Sequence, residues 1–525
     1  RQAGRDVNAL EECDLGLARV CPCGHCPRGQ ARQAASREMT RDYRGTTVIK
    51  TDLAIIGAGP GGYVAALRAA QLGMQVTIIE SAHLGGVCLN RGCIPTKAML
   101  QTAAVAHEVG RAATFGVAID GAVRIDYAAA LARRDGVVDR LKGGVRGLLK
   151  HGKVQIVSGR ASFLGPQTLR VEPVATDIGA GKGTALTQPE TVEARHIIVA
   201  TGSRPLALPV PGVDLPRVLD SDGALALTAV PSSIVVVGAG AVGCEWSQIF
   251  ARLGAQVTLV EMLPAVLPRS DEDLGKELAK ALKAEGIAIH TGTSITAIRD
   301  LGAELEVHLV DLAGGSGSTV NAEYVLIGAG RGPLTDGLDL AAAGVATDAK
   351  GWITTDEYQR TNVPSVLAIG DVTGKALLAH VASRQGIVAV EKLAGLAPEP
   401  VRVDRIPAVT YTDPEVASVG LTEDEARQKD PQAKVGRFVF AANGRALARG
   451  VEGGLVKVVA DSRYGTVLGV HMVGPHVGEL LAEAVLALEL EATLDEFTSV
   501  IRSHPSLSEA VGEAGLAALR RALHM

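Results

Sequence analysis

The chain lacks a basic excess, lacks any long apolar run and has few cysteines for its size. Each shortage removes a class of function. Lysine and arginine number 52 against 57 acidic residues, a formal charge of −5. Nucleic-acid binders usually carry a basic excess or stripe, so no nucleic-acid partner is expected. Apolar runs such as 53–56 and 234–237 end in glycine, far short of the ~20 residues that cross a bilayer. Seven cysteines in 525 residues make no disulfide scaffold, so each needs its own explanation. Aromatic residues are only 3% of the chain, so the 47% apolar content is mostly aliphatic. At about 150 residues per domain, three or four domains are expected. Glycine is in excess: 62 residues, where ~7% is usual.

Residues 1–44 stand apart, with eight arginines, no lysine, four of the seven cysteines and no periodicity. They lack the apolar centre of a secretory signal, and their interspersed acids fit a transit peptide poorly. An unstructured extension is expected over 1–46, and Met39 would make a natural start. Cys21, Cys23, His25 and Cys26 crowd enough sulfur and imidazole to raise zinc binding. No second ligand pair follows at finger-like spacing, so no metal is assigned, and Cys13 has no assigned role.

From Thr51 short apolar runs alternate with Ala-rich helical stretches, which predicts a parallel α/β sheet. Residues 53–80 and 234–261 align without a gap, with 11 of 28 positions identical. Both copies read apolar strand, Gly-x-Gly-x-x-Gly, helix, Leu-Gly, second strand, Glu. The triplets are Gly57, Gly59, Gly62 and Gly238, Gly240, Gly243. In each, the first glycine permits a tight turn and the second lets a pyrophosphate approach. The third lets the helix pack on its strand. The helix N-terminus then faces the phosphates. Glu80 and Glu261, each 23 residues after the first glycine, stand where a carboxylate takes ribose hydroxyls. Two dinucleotides are therefore expected. Glu261 would repel a 2′-phosphate and Met262–Pro264 just past it are uncharged, which favours NAD over NADP.

Further strands are predicted at 154–161 and 197–199, separated by a Gly/Thr-rich loop over 176–191. Others fall at 325–328, 366–369, 455–459 and 467–472, with a helix over 478–490. That helix is apolar on one face and acidic on the other, as at a subunit or domain contact.

Cys88 and Cys93 lie five apart in Gly-Gly-Val-Cys-Leu-Asn-Arg-Gly-Cys-Ile-Pro. They meet only if the helix start is distorted, which the glycines and Pro95 permit. A metal would want two more ligands nearby, and a structural disulfide would be unusual in a cytosolic chain. A redox-active dithiol beside a helix N-terminus is the better reading.

These motifs, from Thr51 to the C-terminus, resemble the flavin-disulfide oxidoreductase family. Within its class I pyridine nucleotide-disulfide members, they resemble the branch that oxidises dihydrolipoamide. The fold implied is α/β, with FAD and NAD Rossmann-like domains and a C-terminal α+β dimerisation domain. The expected boundaries are 47–202 and 329–402 for FAD, 203–328 for NAD and 403–525 for the interface. The resemblance makes the first fingerprint the FAD site, Cys88 the interchange thiol and Cys93 the thiol beside the flavin. It places Lys97 near the reactive flavin edge, partnered by Glu245, and adds Thr201, Gly202, Gly330, Asp371 and Ala379 to the cofactor-binding set. Gly330-Arg331-Gly332-Pro333 departs from the paired arginines of many members at Gly332, which touches one peripheral contact.

His504 and Glu509 occur in His-Pro-Ser-Leu-Ser-Glu. An imidazole five residues before a carboxylate can form a dyad of raised basicity. The resemblance implies that this pair is the acid/base and reaches the disulfide from the partner subunit of a homodimer. It further implies reoxidation of protein-bound dihydrolipoamide: exchange at Cys88, then electrons through Cys93 and FAD to NAD⁺. The partners implied are lipoyl domains and the acyltransferase core of 2-oxoacid dehydrogenase complexes, or the lipoyl carrier of glycine cleavage. The location implied is the cytoplasm. The alternative is a related NAD(P)H-dependent disulfide reductase of the glutathione or mercuric type. Against these stand Glu261, the Leu-Ser-Glu at 507–509 and the absence of a cysteine pair in 516–525. Cys244 is read as a packing residue.

Overall fold

A computed structural model describes residues 39–41, 47–174 and 186–524. Cys13 and the Cys21, Cys23, Cys26 cluster lie outside the described residues, as does 176–185 of the expected loop.

The first sheet is built on Thr47–Ile56, which pairs in parallel with Val76–Glu80 on one side and Glu190–Val199 on the other. Gln155–Ser158 extends the parallel edge beyond Val76–Glu80, and Val366–Ala368 pairs in parallel with the end of Glu190–Val199. Central strands of such a sheet are covered on both faces and so read as continuous aliphatic runs. Leu53, Ala54, Ile55, Ile197 and Ile198 are all fully buried.

The expected single strand over 154–161 is two. Gly159 separates Gln155–Ser158 from Arg160–Gly165, which pairs antiparallel with Thr168–Glu172 in a hairpin that the apolar pattern did not reveal. A Cβ at Gly159 would lie 2.4 Å from Val171 Cγ1, so the chain can bend there only without a side chain. The strand expected at 197–199 begins earlier, at Glu190, because its first half pairs with that hairpin.

The second sheet is wholly parallel, in the order Ala288–His290, Gln256–Val260, Ser233–Val237, Tyr324–Ile327, Val218–Leu219. A short antiparallel pair joins Ser203–Pro205, just after the first sheet's Glu190–Val199, to Arg331–Pro333, just after the second sheet's Tyr324–Ile327. The C-terminal region is a five-stranded antiparallel sheet, Ala408–Thr410, Glu415–Gly420, Val467–Gly474, Leu455–Ala460 and Lys434–Val439 in spatial order. Helices Val477–Glu489 and Glu509–Ala518 share a core with it.

One core cluster crosses the modules. Met99, Leu100 and Ala103 of helix Cys93–Gly110 belong to the same cluster as Trp246 and Phe250 of helix Ala241–Arg252, with Val416 and Val473 of the C-terminal sheet. The two rings stack 5.1 Å apart, which adds directional preference to a large apolar burial. Among the described residues no helix is long and apolar enough to cross a membrane.

Candidate active site

The two glycine loops repeat one geometry. Gly57 and Gly238 both have φ of +102°, a left-handed conformation that glycine adopts without penalty. A Cβ on Gly62 would stand 1.9 Å from Gly57 O, and one on Gly243 1.8 Å from Gly238 O. First and third glycines are therefore demanded by the turn itself. The middle ones are not: a Cβ on Gly240 would meet nothing within 4 Å, and one on Gly59 only the Gly86 Cα at 3.9 Å. Each faces open space at a helix N-terminus without a side-chain cap, where free amides can receive a phosphate.

Glu80 and Glu261 have a further duty that the motif did not disclose. Glu80 Oε2 accepts from Ala58 N–H at 2.7 Å, and Oε1 from Ser81 and Ala82 N–H. Glu261 Oε2 accepts from Ala239 N–H at 2.7 Å, and Oε1 from Leu263 N–H. Each carboxylate thus ties the end of the second strand to the first loop, and its oxygens retain lone pairs for a ribose.

One cleft gathers Gly57, Gly59, Glu80, Cys88, Cys93, Lys97, Thr201, Gly202, Glu245, Asp371 and Ala379 along its walls. Gly62 lies outside the lining, packed against Gly57. Gly238, Gly240, Gly243, Glu261 and Gly330 lie outside its lining, as do His504 and Glu509. Thr201 Oγ donates to Leu334 O at 2.7 Å. Ala379 opens helix Ala379–Leu393, again without a side-chain cap. Asp371 Oδ2 accepts from Ser203 Oγ at 2.6 Å; burial pushes its carboxyl up, opposed by that bond and by Arg331. Arg331 in turn donates to Ser203 Oγ and O, both at 2.7 Å. Ser203 and Arg331 are site residues that the sequence does not single out: Arg331 stands in the Gly-Arg-Gly-Pro run, but its partner lies 128 residues away.

The cysteines occupy successive helices, Gly86–Arg91 and Cys93–Gly110, interrupted at Gly92. Gly92, with φ −141° and ψ −113°, makes the break. Pro95 sits in the first turn of the second helix, where an absent N–H costs nothing. The break brings the two thiols close enough to act on each other's protons. Donation from Cys88, opposed by burial and assisted by Lys97, brings the Cys93 thiol from an ordinary 9.0 down to about 7. The Cys88 thiol is driven up, chiefly as donor to Cys93 and then by burial.

Lys97 Nζ lies 2.7 and 2.9 Å from the Glu245 carboxylate oxygens. Glu245 is buried, and its Oε1 also accepts from Tyr411 N–H at 2.9 Å. Cys244 is buried, with Sγ 3.3 Å from Ala239 O.

His504 Nδ1 is 2.8 Å from Glu509 Oε1, and 82% of the His504 side chain is exposed. A carboxylate only accepts, so Nδ1 carries the proton and Nε2 is left free. Burial pushes Glu509 up, but the Ser506 N–H and His504 outweigh it and hold the carboxyl low. Among the described residues no group of three or more His, Cys, Asp or Glu is arranged to hold a metal.

Two glycine loops of one geometry and a cysteine pair in a single cleft fit a nucleotide-dependent disulfide oxidoreductase. The chain belongs to the pyridine nucleotide-disulphide oxidoreductase family, which residues 51–386 match, while 406–515 match the family's dimerisation domain. It is an NAD-dependent flavoprotein oxidoreductase that uses FAD and NAD(H). It is 46% identical to dihydrolipoyl dehydrogenase of Halobacterium salinarum over 90% of this chain and 97% of that one. It is 41% identical to the Bacillus subtilis protein of the same name, over 90% and 99%. Among solved structures it is similar to LpdA of Mycobacterium tuberculosis, with TM-score 0.79, 28% identity and coverage of 89% and 99%. The HOCl-induced flavoprotein disulfide reductase RclA of Escherichia coli, as its Cu(II) complex, gives 0.78, 25%, 89% and 99%.

Proposed function

We propose that this chain is a cytoplasmic dihydrolipoyl dehydrogenase that oxidises protein-bound dihydrolipoamide with NAD⁺. It would serve a 2-oxoacid dehydrogenase complex or the glycine cleavage system, meeting lipoyl domains and an acyltransferase core. The observation that carries the reading is the placing of Cys88 and Cys93, brought together by the helix break at Gly92 on the wall of one cleft with the Lys97–Glu245 pair. As Cys93 leaves, Cys88 is bonded to substrate and has no S–H to donate, and the Lys97 charge favours the Cys93 thiolate, so Cys93 is the better leaving group.

In this reading His504, oriented by Glu509, takes the proton of one substrate thiol. The substrate thiolate attacks Cys88, a substrate–Cys88 disulfide forms, the Cys88–Cys93 bond breaks and Cys93 leaves as thiolate. The second substrate thiol loses its proton and attacks the substrate sulfur of the mixed disulfide. Lipoamide leaves, and Cys88 takes up a proton. What bound FAD supplies is the two-electron link between this pair and NAD⁺. Gly57, Gly59 and Gly62 would hold its pyrophosphate, Glu80 its adenosine ribose and Asp371 its ribityl hydroxyls, with Thr201, Gly202 and Ala379 alongside. Gly238, Gly240, Gly243 and Glu261 would hold NAD, with Gly330 at the turn beyond.

The exposure of His504 and its place outside the cleft lining support delivery from a second copy, in keeping with the family's dimerisation domain. The antiparallel pair at 203–205 and 331–333 supports 47–202, 203–328 and 329–402 as segments, and the separate sheet that starts at Ala408 supports 403–525. The test compares NADH formation from dihydrolipoamide with NADPH-dependent reduction of glutathione disulfide. The first alone is expected, and it should vanish in Cys88→Ser. Glutathione turnover, or activity surviving that change, overturns the reading.

A further inference from the structure

Tyr411 immediately follows the strand Ala408–Thr410 of the C-terminal sheet, yet it reaches the Lys97–Glu245 ion pair. The Lys97 ammonium lies 4.6 Å from its ring centroid, while its N–H donates to Glu245 at 2.9 Å. One residue therefore contacts both members of the ion pair nearest Cys93. Its backbone is held from the other side as well. Glu245, Gln248 and Arg252 form a stripe at i, i+3 and i+7 on helix Ala241–Arg252. Gln248 Nε2 donates to Asp413 O, and Asp413 N–H donates to Gln248 Oε1, both at 2.7 Å. Arg252 donates to Asp413 Oδ2 at 2.9 Å while Glu285 anchors the same guanidinium. Residues 411–413 are thus laid along one helix face, which fixes the backbone from which the Tyr411 ring projects.

We propose that Tyr411 is a positioning residue, whose aromatic face holds the Lys97 ammonium between Glu245 and the cysteine pair. A cation over a ring face gains from the ring quadrupole, here at a partly open site, with Tyr411 43% exposed and the Lys97 side chain 33%. The carboxylate that shares this ammonium is almost fully buried. Without the ring, Lys97 can swing toward solvent while remaining bonded to Glu245, and its field at Cys93 weakens. The inference rests on the reading above that Cys93 is the thiol that leaves.

The test titrates the thiolate absorbance of reduced holoenzyme against pH in wild type, Tyr411→Ala, Tyr411→Leu and Tyr411→Phe. The Ala and Leu variants should move the Cys93 midpoint up by about half a unit to one unit. Their kcat should fall several-fold with KM for NAD⁺ unchanged, and Tyr411→Phe should restore the wild-type midpoint. Should the Ala variant fail to fold, the Leu variant, which fills the space without a π-face, decides. An unmoved midpoint in Leu, or a Phe variant that shifts as Leu does, overturns the proposal. Wild-type turnover of dihydrolipoamide is a separate measurement, so failure of the functional reading is distinguishable from failure of this one.

Discussion

Lys97 and Glu245, 148 residues apart, meet at 2.7 Å between the helix that carries Cys93 and the helix of the second fingerprint. The carboxylate is 4% exposed and the ammonium side chain 33%. Removing one partner strands a charge that is largely out of water on the carboxylate side. Lys97→Met should cost about 1–3 kcal/mol, less than a fully buried pair because Lys97 reaches solvent. Urea unfolding midpoints of the FAD-loaded protein measure it.

The Cys93 thiol lies below its ordinary value because the Cys88 thiol donates to it, with Lys97 assisting. Thiolate therefore accumulates as pH rises through about 7. In reduced protein, the alkylation rate at Cys93, read by peptide mass spectrometry, should climb through that range. Cys88→Ala removes the donor, and the midpoint should move up toward 9.0, the unperturbed thiol value. A Cys88→Ala profile lying on the wild-type curve would contradict the assigned cause.

The glycines of the second loop should separate folding from binding. Gly243→Ala puts a Cβ 1.8 Å from Gly238 O, an overpacking that costs about 1–3 kcal/mol and lowers Tm. Gly240→Ala meets nothing within 4 Å, so Tm should hold while KM for NAD⁺ rises. Calorimetry and steady-state kinetics on the two variants test the contrast.

His504→Gln should lower kcat for dihydrolipoamide by about 10²–10⁴-fold, the usual worth of a positioned acid/base. The disulfide and its cofactors should be untouched. Mixing His504→Gln with Cys88→Ser subunits should restore activity in heterodimers, because one intact site then forms across the pair. No restoration would place His504 and Cys88 in the same subunit's site.

Much of this site was legible in short stretches. The glycine triplets and their acids are written within 24 residues because the turn, the helix start and the second strand are consecutive. His504 and Glu509 are near enough in sequence for the loop between them to close the dyad. The strand split at Gly159 was not legible, because what forbids a side chain there is Val171 across a hairpin. The second duty of Glu80 and Glu261 was hidden too, since backbone amides leave no mark on residue type.

The sequence alone therefore determined the two glycine loops with their acids and the spacing of the thiols, since those features depend on local backbone geometry and residue chemistry. Tertiary structure decided how the thiols are biased and supported. Ser203 bonds Asp371 and Arg331, and Tyr411 bonds Glu245, across separations of 168, 128 and 166 residues. Such contacts arise only when separate sheets share a core, as Met99, Trp246 and Val416 do here.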